Sequence, residues 1–194
     1  KVDNQMPEVS VIIPTYNRAG IVTEAIDSVL NQSLQDMQVA VIDDGSTDGT
    51  DEALRSRYGD RIHYLYQPNQ GRSAARNLGI QVSTGRYLLF LDSDDLLLPG
   101  GLAAEAAYLD AHPEVDVVYT DGYFCDATGR DLVRFSKVRA PHDPGDLLKD
   151  LVLSNVILAC HSVMVRRTAL ESVGPPYFDE TLRGTEDEDL WIRM

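Results

Sequence analysis

The stretch Arg86-Tyr87-Leu88-Leu89-Phe90-Leu91-Asp92-Ser93-Asp94-Asp95 constrains this chain most tightly, because an apolar run of five residues ends in three carboxylates within four positions. Consecutive apolar side chains leave no polar face for water, so the run reads as a strand buried on both faces, as in a parallel sheet. Helical patterns flank it, which makes a sheet covered by helices the consistent solution. Ligands of open α/β sheets bind beyond the carboxyl ends of the strands, and the acidic residues fall there. Left unpaired, crowded carboxylates repel, raise each other's pKa and favour a compensating cation. Oxygen donors suit Mg²⁺ or Mn²⁺, and Mg²⁺ commonly shares one or two carboxylates with substrate phosphates. A metal–diphosphate site is the first expectation, and a solvated acidic rim loop is the plain alternative.

The rest of the chain repeats a β-α alternation. Residues 9–13 are rich in β-formers and closed by Pro14. Ile21, Ala25, Ile26, Val29 and Leu30 then share one helical face. A second strand, 39–42, ends in Asp43-Asp44-Gly45-Ser46-Thr47-Asp48-Gly49, followed by a short helix over 50–58 and a third strand over 62–66. Residues 69–73 form a turn and offer a cap for a helix through Val82, with Ala74, Ala75, Leu78 and Val82 facing inward. Pro99 opens a helix to about residue 111, and 115–119 is a fifth strand. Residues 1–120 thus read as a doubly wound, mostly parallel α/β half. Residues 121–194 form a smaller part, with short strands around Tyr123 and Val133, helices near 146–153 and 168–173, and a strand near 162–165.

The net charge of −14, from 17 basic and 31 acidic residues, argues against nucleic acid or an anionic membrane surface as the main partner. A polyanionic substrate must therefore bring a cation or find a local cluster of arginines. Cys125 and Cys160 lack the spacing of a disulfide framework or zinc site and read as small buried hydrophobes. No apolar run approaches the roughly 20 residues of a membrane span, and no signal peptide opens the chain, so a cytoplasmic setting is expected. The chain begins without Met and stops in a helical pattern at Leu190-Trp191-Ile192-Arg193-Met194, which suggests a piece of a longer protein. Missing segments could bring it to the inner face of a membrane.

The loop 43–48 fails as an EF-hand, since Arg55 stands where a bidentate Glu belongs. It nearly matches the Asp-x-Ser-x-Ser loop of metal-dependent adhesion domains through Asp44, Ser46 and Asp48, but the last position is wrong. Neither a phosphate-binding Gly-x-x-x-x-Gly-Lys loop nor a Gly-x-Gly-x-x-Gly fingerprint occurs. Asp44, at a strand end, could accept the imide N–H of a uracil ring; turn formation alone would also explain this string of residues. A phosphatase using Asp92 as nucleophile and Asp94 as acid/base is disfavoured, because strands precede the acidic one and no lysine stands in a suitable context.

Five motifs in order now carry a resemblance: VSVIIPTYNR (9–18), VIDDGSTD (41–48), NQGRSAARNLG (69–79), DSDD (92–95) and TEDEDLW (185–191). Spanning almost the whole chain, they resemble family 2 glycosyltransferases. The resemblance implies a GT-A fold, Rossmann-like with a mostly parallel central sheet and flanking helices plus a smaller acceptor-side subdomain. Residues 1–120 would then be the nucleotide-sugar-binding half and 121–194 the acceptor-side, catalytic-base half. It also implies a nucleoside diphosphate donor (UDP-linked by expectation), Mn²⁺ or Mg²⁺, a carbohydrate or glycolipid acceptor, and inversion at the anomeric carbon in surface polysaccharide or glycolipid assembly. Residue by residue, Pro14, Thr15 and Tyr16 would line the nucleoside pocket and Asp44 would bind the base. Arg76 or Arg72 would approach the base or diphosphate, with no sequence ground for choosing between them. Asp92 completes the acidic motif, Asp94 would contact the ribose or the metal's water shell, and Asp95 would be the most direct metal ligand. Asp187 would be the catalytic base.

The chemistry agrees with those roles. An acceptor hydroxyl is a poor nucleophile until a base takes its proton, and inversion needs that base across the sugar from the diphosphate. Asp187 lies far from Asp95 in sequence and at a helix start, where an acidic first turn is favourable for electrostatic reasons alone. His63 and His112 read as structural, His161 as a hydrogen-bonded structural histidine with facing the acceptor as the alternative, and Trp191 as either core or acceptor floor. Two rivals are a catalytically silent nucleotide-sugar-binding module and, more remotely, the adhesion-type domain.

Overall fold

The computed structural model describes residues 6–126, 130, 132–138, 157 and 160–194. The elements run β1 (Val9–Thr15), α1 (Val22–Leu30), β2 (Met37–Asp43), α2 (Thr50–Tyr58), β3 (His63–Tyr66), α3 (Arg72–Val82), β4 (Tyr87–Phe90), α4 (Gly101–Ala111) and β5 (Val117–Tyr119). Then come β6 (Tyr123–Phe124), β7 (Val133–Arg134), the one-turn helix α5 (Phe135–Val138), β8 (Val163–Arg166), α6 (Arg167–Val173) and α7 (Glu186–Arg193). The helix expected near 146–153 lies outside the described residues.

One six-stranded sheet has the order β3-β2-β1-β4-β8-β5. The first four strands pair in parallel, with Val9 opposite both Met37 and Tyr87. β8 runs antiparallel between β4 and β5, placing Leu89 opposite Met164 and Val118 opposite Met164 on the other side. The fifth strand of the sequence pattern is therefore not β4's neighbour: a strand from after residue 160 separates them. Nothing local in 115–119 encodes that insertion.

All seven residues of β1 and all four of β4 are buried, as two-sided coverage requires. One core lies beneath α1, α2 and α4 (Ile13, Val22, Ile26, Val41, Leu89, Leu102) and the other beneath α3, α6 and α7 (Ile12, Ala75, Leu88, Phe90, Phe178, Trp191). Period-2 alternation along β1 and β4 thus feeds two layers. Gly79 lets α3 lie directly on β1, for a Cβ there would sit 2.3 Å from Ile12 Cγ2. The expected side-chain cap on α3 is not formed; its N-cap is Gly71, at φ +95°. Trp191 is a core residue, its ring 6.4 Å from Phe90. Cys160 is buried as expected, but Cys125 is exposed.

Candidate active site

Two acidic turns leave the carboxyl end of the sheet. The first, after β2, is knitted to the backbone. Asp43 accepts from the Ser46 N–H (2.8 Å) and the Tyr64 hydroxyl (2.6 Å). Asp44, 3% exposed, accepts from Gln67 Nε2 (2.6 Å), Gln70 N–H (2.9 Å) and Gly71 N–H (2.8 Å). Three of its roughly four acceptor positions are thus used internally. Asp48 accepts from the Ala19 N–H at 3.0 Å and from Thr50, which holds its carboxyl below the ordinary range. Ser46 Oγ accepts from the Asn17 N–H at 2.8 Å. Asp44 thus faces the 67–71 loop while Ser46 and Asp48 face the 17–19 loop, and the adhesion-type cation site is not assembled. Pro14 and Thr15 end β1 beside β2, and the Thr15 carbonyl accepts from the Asp44 N–H at 2.8 Å. Tyr16, just beyond, is half exposed. Gly45 is required here: at φ +89°, a Cβ would sit 2.7 Å from Asn69 N.

The second turn follows β4 and lines a cavity of about 490 Å³ together with Arg72, Arg76, His161, Glu186 and Asp187. Its carboxylates are not mutually crowded and unpaired, as the sequence suggested; each meets a different basic side chain. Asp92 accepts from Arg76 Nη2 at 2.6 Å, Asp94 pairs with Arg18, and Asp95 Oδ2 lies 2.8 Å from His161 Nδ1. That last contact is close but lacks the direction of a hydrogen bond, leaving the buried Nδ1 without a hydrogen-bond partner. The turn is anchored from behind by Gln32 Nε2 to the Leu98 carbonyl (3.0 Å) and Leu97 N–H to Ser28 Oγ (3.0 Å).

Arg76 is 2% exposed. Its Nη1 donates to Glu186 Oε1 at 2.9 Å and its Nη2 to Asp92, so it ties the end of β4 to the first residue of α7. Burial opposes its charge, but Asp92 and Glu186 more than offset this and hold the guanidinium above the ordinary arginine range. Arg72, more exposed, donates to Glu186 Oε2 at 3.1 Å. Burial also works against the charge on Glu186, yet its own backbone N–H and the two arginines keep that carboxyl below the ordinary range. The neighbouring residue on α3, Asn77, grips the approach to α7: Nδ2 donates to the Phe178 carbonyl (2.9 Å) and Oδ1 accepts the Phe178 N–H (2.9 Å). Together these contacts present Asp187 to the cavity that Asp92, Asp94 and Asp95 line from another side. Cys160 also lines it, but burial pushes its thiol up and away from nucleophilic use.

Sequence reasoning did not place Arg18 or Glu186 in this site, and it gave His161 only as an alternative acceptor-facing residue, not as a neighbour of Asp95. The first two are legible in hindsight as charges inside the matched motifs. His161 carried no local signal: it adjoins Asp95 because β8 runs antiparallel to β4, so the turn entering β8 meets the turn leaving β4. Among the described residues no three His, Cys, Asp or Glu side chains converge to hold a metal by themselves. A cation at this turn would therefore need further ligands from substrate oxygens and water. No helix among the described residues is long and apolar enough to cross a membrane.

Comparison with known proteins matches this geometry to one family. The model for glycosyl transferase family 2 covers residues 10–174. TuaG of Bacillus subtilis, provisionally named a teichuronic acid biosynthesis glycosyltransferase, is 31% identical over 194 residues, covering 98% of this chain and 73% of its own length. An uncharacterised glycosyltransferase of Rickettsia prowazekii is 34% identical over 195 residues, covering 97% of this chain and 58% of its own. The solved structure of S. aureus TarS 1–349 in complex with UDP-GlcNAc superposes with a TM-score of 0.72 at 26% identity, over 96% of this chain and 52% of that one. The chain belongs to glycosyl transferase family 2, and its fold is of the GT-A type. It spans little more than half the length of the Rickettsia and S. aureus chains.

Proposed function

We propose that this chain carries the donor site and catalytic base of an inverting glycosyltransferase that moves a sugar from a nucleoside diphosphate, UDP by preference, to a hydroxyl of a carbohydrate or glycolipid acceptor. The observation that carries the reading is one cavity lined on one side by the strand-end carboxylates Asp92, Asp94 and Asp95 and on another by Asp187. The UDP-GlcNAc complex of S. aureus TarS and the teichuronic acid name of TuaG support a UDP-sugar and a surface polysaccharide respectively.

In this reading Pro14, Thr15 and Tyr16 line the nucleoside pocket, and the remaining acceptor position of Asp44 takes the base imide N–H. Arg72, the more exposed of the two arginines, is the one available to the diphosphate, while Arg76 holds the frame. Mn²⁺ or Mg²⁺ at Asp95, with Asp94 beside it, would neutralise charge developing on the leaving diphosphate. Asp187 takes the acceptor proton as the hydroxyl attacks the anomeric carbon from the face opposite the diphosphate. Peripheral action at the inner face of a membrane fits an acceptor built on a lipid.

Calorimetric titration with UDP, with and without Mn²⁺, on wild type and Asp95→Ala tests this. Metal-dependent binding lost in the variant is the expected result; no binding of UDP, GDP or dTDP by the folded wild type overturns it. Donor binding with neither transfer nor donor hydrolysis would make the chain a silent binding module.

A further inference from the structure

We propose that His161 is a direct ligand of the same cation, forming with Asp95 a two-donor edge that the donor diphosphate and water complete. This rests on the donor-site reading above and adds a residue to it. Of the three carboxylates in the turn, Asp92 and Asp94 are paired with guanidinium groups, which have no lone pair to give a metal. Asp95 alone among them faces an imidazole, which in its neutral form is a metal ligand. The contact itself is unusual for an ordinary ion pair: Nδ1 and Oδ2 stand 2.8 Å apart, yet no hydrogen bond is aligned between them and Nδ1 is buried without a hydrogen-bond partner. With the imidazole neutral and its proton on Nε2, the Nδ1 lone pair and the carboxylate repel at this distance unless a positive charge lies beside both. Adjacent ligands on an octahedral ion with bonds of about 2.0–2.1 Å are separated by about 3 Å, so the observed spacing matches one edge of such an ion's shell.

The fold holds both donors independently of any ligand. His161 sits in the turn Cys160–Ser162 that leads into β8, beside the end of β4, and the Phe135 ring lies edge-on to its imidazole with centroids 6.2 Å apart. Gly122 allows Phe135 that position, since a Cβ there would sit 2.5 Å from the ring. A site with two protein donors is weak alone and closes when phosphate oxygens arrive, so cation and nucleotide bind together. A nitrogen donor also favours Mn²⁺ over Mg²⁺, which prefers an all-oxygen shell.

Electron spin-echo spectroscopy of Mn²⁺ bound to this chain with UDP tests the assignment directly. Wild type is expected to show coupling from an imidazole nitrogen to Mn²⁺, absent in His161→Gln and His161→Ala. Titration of Mn²⁺ at saturating UDP is expected to give affinity weakened roughly ten-fold or more in both variants. Absence of nitrogen coupling in a wild type that binds UDP with Mn²⁺, or unchanged Mn²⁺ affinity in a folded His161→Gln, overturns the ligand assignment and leaves the donor site standing. A folded wild type that binds no nucleotide with or without Mn²⁺ overturns both. The wild-type spectrum decides the matter even if the alanine variant does not fold.

Discussion

The turns after β2 and β4 are both acidic, both leave the same edge of the sheet and both match family motifs, yet their carboxylates are used differently. In the first, Asp43, Asp44 and Asp48 accept largely from backbone N–H groups of the loops at 15–19, 46 and 70–71. Such carboxylates shape loops, because releasing them would leave those N–H donors without their partners. In the second, Asp92, Asp94 and Asp95 meet basic side chains at the wall of a cavity. A side-chain partner can turn aside for a ligand, whereas a backbone donor cannot. A cluster of aspartates in a sequence therefore indicates a loop that must be organised or a cation that must be held, and the partners decide which.

The largest expected effect concerns the wall opposite the second turn. Asp187→Asn should lower transfer by roughly 10²–10⁴-fold, the usual worth of a positioned base, while calorimetric UDP affinity stays within about two-fold of wild type on the same principle. A parallel loss of UDP binding would merge Asp187 with the donor side and break the division.

A third kind of carboxylate sharpens the contrast. Glu105 on α4 is buried, accepts a hydrogen bond from Thr120 Oγ1 at 3.2 Å and meets no cation among the described residues, and burial pushes its pKa up to about 8. The folded chain keeps this proton where the unfolded chain, at the ordinary value near 4.5, has released it. Its stability contribution is therefore complete below the ordinary value, falls as pH rises between about 4.5 and about 8, and is flat above. Glu105→Gln should remove that slope and gain on the order of a few kcal/mol at most above the window, read by urea denaturation across pH. A wild-type curve with no fall over that interval would contradict the buried-acid reading.

Next in size, Asp44→Ala should cost about 2 kcal/mol of stability by leaving the Gln70 and Gly71 N–H groups unmatched. Asp94→Ala should cost under about 1 kcal/mol, because its pair with Arg18 is well exposed. Denaturant midpoints compare the two directly. Equal costs would mean that both turns are structural, and the comparison between them would fail.

Much of the fold was legible along the chain. Burial on both faces of β1 and β4, the helical faces of α1 and α3, and the turn residues closing them are local consequences of side-chain type and spacing, so they could be read residue by residue. That these strands lie parallel beneath covering helices followed from the same alternation. The insertion of β8 between β4 and β5 did not, because strand pairing is a contact between segments some 70 residues apart and nothing in either segment names its partner.

The site divides the same way. The sequence by itself determined which residue types gather at the candidate site: a strand end with three carboxylates, a second acidic turn, the arginines of α3 and an acidic helix start, each within a motif. Only the tertiary structure decided what each of them touches. It turned Arg76 inward as a tie between Asp92 and Glu186, committed Asp44 to the Gln67–Gly71 loop, and set His161 against Asp95. The reason is physical: hydropathy and turn chemistry act between near neighbours, whereas the pairing of a charge depends on which distant side chain the packed layers bring within 3 Å.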